Sequence, residues 1–211
     1  MAPVAMFNAL WFAPDGGAER YTQGYGSAVL PILAEVGADL ITPFLPLDAA
    51  LEGGFDPDVV GFVRYPSADA FDEMWRSDAY AMAAPLRRDS TDRAVLTRCA
   101  IDPVDAGPME LEPGIAVLNM LWFHPGGRER YDDYLEAARP LVEGVGGRYA
   151  SPRYVPDAAI EDDVVPDLVF IGNYPSTDAV FSMVSSSDYE RVAPIRTEAV
   201  ARSMTTTLRV P

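Results

Sequence analysis

The chain has 211 residues, 49% of them apolar, and a net charge of −16 spread over both halves. That much apolar side chain excludes a disordered protein, and the missing basic footprint argues against nucleic-acid or anionic-lipid partners. All 16 cationic residues are arginine, so lysine Schiff-base chemistry is excluded; one cysteine (Cys99) and one histidine (His124) exclude an intrachain disulfide and any Cys-rich or multi-histidine metal site.

The N-terminus, Met1-Ala-Pro-Val-Ala-Met-Phe-Asn, lacks the basic start and apolar run of a secretion signal. No stretch nears the roughly 18 apolar residues of a membrane span. A soluble, cytoplasmic protein without membrane contact is expected.

Val4 to Phe12 is apolar on both parities, the mark of a strand covered on both faces. Pro14-Asp15-Gly16-Gly17 turns the chain, and Ala18 to about Val36 reads as a helix. Tyr21, Tyr25, Ala28 or Val29, Ile32 and Val36 form its apolar face, Pro31 should kink it, and Gly37 ends it. Asp39 to Leu45 is a strand, Asp48 to Asp56 a connection and Asp58 to Tyr65 a second strand. After Pro66, Ser67 caps a helix over Asp69 to Arg76; Ala79 to Arg88 is a further helix, and Arg93 to Ile101 the last strand. The order β-α-β-β-α-β defines a ferredoxin-like unit.

Asp102 to Gly114, with Pro103, Gly107, Pro108 and Pro113, reads as a linker. The order then repeats. Asn8-Ala-Leu-Trp-Phe-Ala-Pro-Asp-Gly-Gly-Ala-Glu-Arg-Tyr21 returns as Asn119-Met-Leu-Trp-Phe-His-Pro-Gly-Gly-Arg-Glu-Arg-Tyr131. Ile115 to Phe123 is a strand, Arg128 to Val145 a helix, Arg148 to Val155 and Asp167 to Tyr174 strands; Pro175-Ser176 caps the next helix, and Arg202 to Val210 is the closing strand. Beyond Pro31 the copies keep an offset of 109, pairing Pro57-Asp58 with Pro166-Asp167, Tyr65-Pro-Ser67 with Tyr174-Pro-Ser176, Tyr80 with Tyr189 and Arg87 with Arg196. The domains read as a first repeat over 1–101, a linker over 102–113 and a second repeat over 114–211.

In each first strand the second parity is also apolar: Ala5, Phe7, Ala9 and Trp11, then Ala116, Leu118, Met120 and Trp122. Exposing them would cost roughly 1.5–3 kcal/mol per large side chain. The expectation is an α+β protein of two ferredoxin-like repeats packed sheet to sheet, an intrachain pseudo-dimeric barrel.

Asn-x-Leu-Trp-Phe, the Pro-Gly-Gly turn, Arg-Tyr opening a helix with an internal Pro, and the late Tyr-Pro-Ser resemble the domain of unknown function 1330 family of the dimeric α+β barrel superfamily. The resemblance covers both repeats. It implies a fused form of what is elsewhere a homodimer, either a monomeric pseudo-dimer or a homodimer of it. The wider superfamily holds cofactor-independent monooxygenases, cyclases, isomerases, dechlorinating and haem-handling enzymes and simple binders, so fold alone does not choose a reaction.

Candidate site residues follow from residue type and place. Asn8 and Asn119 are amides in apolar strands; each either bonds locally or lines a pocket. Trp11 and Trp122 serve the core or stack on a ligand. Tyr21, Tyr25, Tyr131 and Tyr134 lie on the first helices, where their rings pack on the sheet and their hydroxyls could reach a cleft. Tyr65 and Tyr174 end strands, where cavities open. His124, standing where the first copy has Ala13, could move a proton or simply face solvent. Arg64 could bind a carboxylate or an enolate, or form a surface ion pair. Differences such as Ala13/His124, Phe44/Arg153, Arg64/Asn173 and Trp75/Val184 suggest that the copies have diverged in task. The expected function is a metal-free, cofactor-independent small-molecule enzyme acting on an aromatic or polyketide-like compound, with His124, Arg64, Tyr65 and Tyr174 catalytic. The alternative is a non-catalytic small-ligand-binding or stress-related protein.

Overall fold

The computed structural model describes residues 2–47, 50–102 and 108–210. The first repeat runs β1 (Val4–Phe12), α1 (Gly17–Glu19), a π-helical stretch (Arg20–Gly26), α2 (Ser27–Glu35), β2 (Asp39–Pro46), β3 (Val59–Tyr65), α3 (Ala68–Arg76), α4 (Asp78–Arg88) and β4 (Thr91–Ile101). The second runs β5 (Ile115–Phe123), α5 (Gly127–Gly144), β6 (Arg148–Tyr149), β7 (Tyr154–Glu161), β8 (Leu168–Tyr174), α6 (Thr177–Val184), α7 (Ser187–Ala199) and β9 (Val200–Arg209). Every pairing with a resolved register is antiparallel, with β1 between β3 and β4 and β5 between β8 and β9. The α+β class and both ferredoxin-like repeats match the expectation. Among the described residues no helix is long and apolar enough to cross a membrane.

The compact units cross the repeat boundaries. One consists of residues 1–44, 57–101 and 156–165; the other of residues 45–56, 102–155 and 166–211. Each repeat therefore lends an arm to the other's unit. In the first unit β4 has β7 as its outer neighbour, and the Thr97 hydroxyl donates to the Val164 carbonyl at 3.1 Å. In the second, Leu45 and Pro46 pair with Arg209 and Leu208, and Glu52 bridges to Thr205.

The strand expected over Arg148 to Val155 is corrected by this exchange. The strand there is two residues long, and the main one is Tyr154–Glu161, which carries Pro156 and two acids. Its neighbour β4 lies in the other repeat, so no local pattern announced it. Of the linker, residues 103–107 lie outside the described ones. Beyond them Glu110 donates to the Ala150 carbonyl at 2.9 Å, and Glu112 to the Asn173 side chain at 2.7 Å.

Local chemistry explains the repeated motifs. In Pro-Gly-Gly the first glycine is left-handed, φ 91° at Gly16 and 75° at Gly126. The second packs against backbone: a Cβ on Gly17 would lie 2.4 Å from the Ser90 carbonyl oxygen, and one on Gly127 2.2 Å from that of Ala199. The registers of β1 on β4 and of β5 on β9 shift at Trp11/Phe12 and Trp122/Phe123. At each shift an aspartate accepts the backbone N–H, Asp58 from Phe12 at 2.6 Å and Asp167 from Phe123 at 2.7 Å. Ser67 and Ser176 cap α3 and α6 as expected.

The first helix differs between copies. Four positions separate Tyr21 from Tyr25, but three separate Tyr131 from Tyr134. The extra residue falls in the π-helical stretch Arg20–Gly26, whereas α5 is α-helical throughout. A π turn absorbs one inserted residue while keeping both tyrosines on the inner face.

Helices cover one face of each sheet. In the first unit Val4, Met6, Leu10, Tyr65 and Leu96 meet them; in the second, Val117, Leu121, Phe170 and Tyr174 do. The opposite face is buried as completely. Ala5, Phe7, Val60, Phe62 and Cys99 in the first unit, and Ala116, Leu118, Met120 and Ile171 in the second, have 0% exposure. Burial pushes the Cys99 thiol well above its usual range, so it packs as an apolar group.

Candidate functional site

Helical spacing on α5 aligns Tyr131, Tyr134, Leu135 and Val142 toward the sheet of the second unit. On α7, Tyr189, Ala193 and Arg196 recur at the same spacing. Alternation on β8 turns Phe170, Gly172 and Tyr174 to the same side. Together with Val180, Met183 and Val184 of α6, these residues line a half-open pocket of about 400 Å³. The lent arm contributes Leu51 and Glu52.

Among the described residues lining the cavity, Glu52 and Arg196 are the only charged ones. They form a two-pronged pair, with Nη2 to Oε2 2.8 Å and Nη1 to Oε1 3.5 Å. Ser203 also donates to Oε2, and Thr205 does so at 3.4 Å. Burial alone would raise the Glu52 pKa, but the hydrogen bonds from Ser203 and Arg196 outweigh it and hold the carboxyl below its usual range. Burial likewise works against charge on Arg196, and the Glu52 contact overcomes it. Both groups are ionised at neutral pH, and the pair is neutral as a whole.

The phenols behave oppositely. Burial pushes Tyr149 up to about 12, and Tyr131, Tyr134 and Tyr174 well above the usual tyrosine range. They are neutral hydroxyls, able to donate. The Tyr134 and Tyr189 hydroxyls are 3.1 Å apart, and Tyr149 donates to the Leu135 carbonyl at 3.0 Å. The cavity thus offers aromatic walls, phenolic donors and one guanidinium held by a carboxylate.

The first unit repeats the framework. Arg87 pairs with Glu161 of its lent arm at 2.6 Å, next to Tyr21, Tyr25 and Tyr80. In both units the carboxylate comes from the other repeat. Arg87 is 3% exposed, and its Nε and Nη1 have no hydrogen-bond partner.

Of the sequence-predicted residues, Asn119, Tyr131 and Tyr174 come together on the cavity wall. Tyr21 and Tyr65 occupy the matching core of the first unit. Both asparagines bond locally as well, Asn8 to the Met6 carbonyl at 2.9 Å and Asn119 to that of Val117 at 3.1 Å. Trp11 and Trp122 lie apart from the cavity lining, under Arg93 and Arg202 at 4.4 and 4.5 Å. Arg64 is half-buried on β3, opposite Ala5 and Asp39, and His124 is exposed at the turn before α5. Neither lines the cavity. The reading of single residues missed Glu52, Arg196, Tyr149 and Tyr189. A signal was present: Glu52/Glu161 and Arg87/Arg196 keep opposite charges at the constant offset of the repeat. Among the described residues no three His, Cys, Asp or Glu side chains converge as a metal site.

No match is found among proteins of curated function. Among solved structures, the chain is similar to an anthrone oxidase-like protein at 13% identity, with a TM-score of 0.60, over 99% of this chain and 91% of the other. It is also similar to a candidate monooxygenase from Lactobacillus acidophilus at 13% identity, TM-score 0.58, over 99% and 93% of the two chains. A protein of unknown function from Rhodopseudomonas palustris, RPA0582, is 29% identical over 46% of this chain and 80% of its own, with a TM-score of 0.41. The full-length likenesses put the fold among the ferredoxin-like, dimeric α+β barrel proteins. The model of the family described as a domain of unknown function, DUF1330, matches twice, over residues 17–97 and 123–207, and the chain belongs to that family as a tandem duplication.

Proposed function

We propose that the protein is a cofactor-independent small-molecule enzyme, of monooxygenase, cyclase or isomerase type, acting on an aromatic or polyketide-like compound in the cavity of the second unit. The observation that carries this reading is the half-open pocket of about 400 Å³, walled by tyrosines and holding one oriented guanidinium–carboxylate pair. Such a volume suits a small ligand. A substrate carbonyl or hydroxyl at Arg196 and the neutral phenols would be polarised, and negative charge growing on its oxygen would be stabilised by donors already in place. Glu52 balances the guanidinium charge and fixes its plane. The neighbours' names, at 13% identity, bear on fold and leave the substrate to the cavity.

The test is a thermal-shift screen of small aromatic compounds on the full chain, followed by product analysis for every hit. Arg196→Gln should cut turnover about 100- to 1,000-fold, the range for losing one oxyanion donor. Binding without product, unchanged by time or oxygen, would reject an enzyme.

One observation favours the second reading, a non-catalytic binder. Glu52 already accepts from Arg196, Ser203 and Thr205, and His124 lies outside the cavity lining, so among the described lining residues no free base faces a ligand. Product formation from any hit decides against it.

A further inference from the structure

The two units share a framework and differ in what fills it. At the 109 offset, Tyr65, Tyr80 and Arg87 of the first unit stand where Tyr174, Tyr189 and Arg196 line the cavity of the second. Beside Tyr80 the first unit places its own aromatic side chain. The ring of Trp75 lies 4.9 Å from Tyr80 and 5.7 Å from Phe71, within 28° of parallel to the latter. Phe71 meets Tyr65 edge-on at 5.3 Å. The counterparts of Trp75 and Phe71 are Val184 and Val180, both on the cavity wall. The exchange is not one-way, since Phe170 and Leu135 replace Gly61 and Gly26. Bulk is thus restored on β8 and α5, and Phe181 lines the pocket where the first unit has Asp72, while Val184 and Val180 take the places of Trp75 and Phe71.

We infer that the second unit takes a planar, two-ring, uncharged aromatic compound in the slot that Trp75 fills in the first unit, and that Val180 and Val184 set this specificity. The inference rests on the proposed reading of the cavity as the ligand site. The indole of Trp75 shows the shape that the framework accepts, a fused bicycle against the tyrosine of the fourth helix. Charge decides the rest. Arg196 is already neutralised by Glu52, so a carboxylate entering the cavity would be buried without a free cation. The chain's net charge of −16 repels anions as well. A hydroxyl or carbonyl can bond to the phenols and the guanidinium edge without that cost.

The test is titration calorimetry on the full chain with 2-naphthol, phenol and 2-naphthoate. The expected result is 2-naphthol binding at least tenfold tighter than either of the others. Val184→Trp, which rebuilds the plug of the first unit, should weaken 2-naphthol at least tenfold with an unchanged circular dichroism spectrum. Val180→Phe is the second plug and decides the matter if Val184→Trp does not fold. Equal binding of phenol or 2-naphthoate, or undiminished 2-naphthol binding by a folded plug variant, overturns the inference while leaving a small-molecule site. If none of the three probes binds and the wider aromatic screen is also blank, the underlying reading falls with it.

Discussion

Arg87 is a cation with 3% exposure, one ion-pair partner and two nitrogens without hydrogen bonds. Glu161→Gln keeps the shape and an acceptor oxygen but removes the compensating charge. Breaking a buried pair costs about 3–5 kcal/mol, and an exposed pair contributes about 0–1. The Glu161 side chain is 36% exposed, so water already shares its charge, and we expect about 2–3 kcal/mol. At about 2–4 °C per kcal/mol for a chain of this size, the melting temperature should fall by about 4–12 °C. Arg87→Met tests the same logic from the other side. It removes the desolvated charge and both unpaired N–H groups and lets Glu161 hydrate, so stability should stay within about 1 kcal/mol of the parent. Scanning calorimetry of both variants, with denaturant titration as a check, measures this. The reasoning is refuted if Arg87→Met is as damaging as Glu161→Gln, or if Glu161→Gln changes nothing.

The Glu52 carboxyl titrates below its usual value of 4.5 in the folded chain. Its stabilisation is therefore present above pH 4.5 and is lost as the pH falls through the folded value. Glu52→Gln should cost about 1–2 kcal/mol at pH 7, given the 44% exposure of this side chain, and the two proteins should converge in stability in acid. Gly127→Ala would push a methyl group to 2.2 Å from the Ala199 carbonyl oxygen and should lower the melting temperature by several degrees. Gly144→Ala, with nothing within 4 Å, should raise it slightly by roughly 0.5–1 kcal/mol of helix preference. Deleting Gly24 should convert the π-helical stretch to the α-helix of the second copy; circular dichroism and an unchanged or higher melting temperature would show it, and loss of folding would contradict the insertion account.

Much of the fold was legible because its causes are local. Apolar runs on both parities marked β1 and β5, Ser67 and Ser176 marked two caps, and the duplicated Pro-Gly-Gly marked the turns. What escaped has partners far away in sequence. β7 sits beside β4, some sixty residues earlier, so its own composition of acids and Pro156 reads as loop. The inserted residue near Tyr21 shows in the tyrosine spacing, but the π turn that absorbs it does not. The candidate site shows the same division. Tyr131, Tyr174 and Asn119 were found from strand ends and helix faces. Glu52 was hidden because it reaches Arg196 across 144 positions, through an arm that the repeat boundaries assign elsewhere. His124 was attractive for its chemistry alone, and its turn leaves it in solvent.

A crystal structure of the full chain with 2-naphthol tests the central claim most directly. The account predicts the naphthalene ring beside Tyr189, flanked by Val180 and Val184, with its hydroxyl toward Arg196 and the phenols. A saturated crystal whose second-unit cavity is empty, or closed by its own side chains, while naphthol binds elsewhere would contradict it.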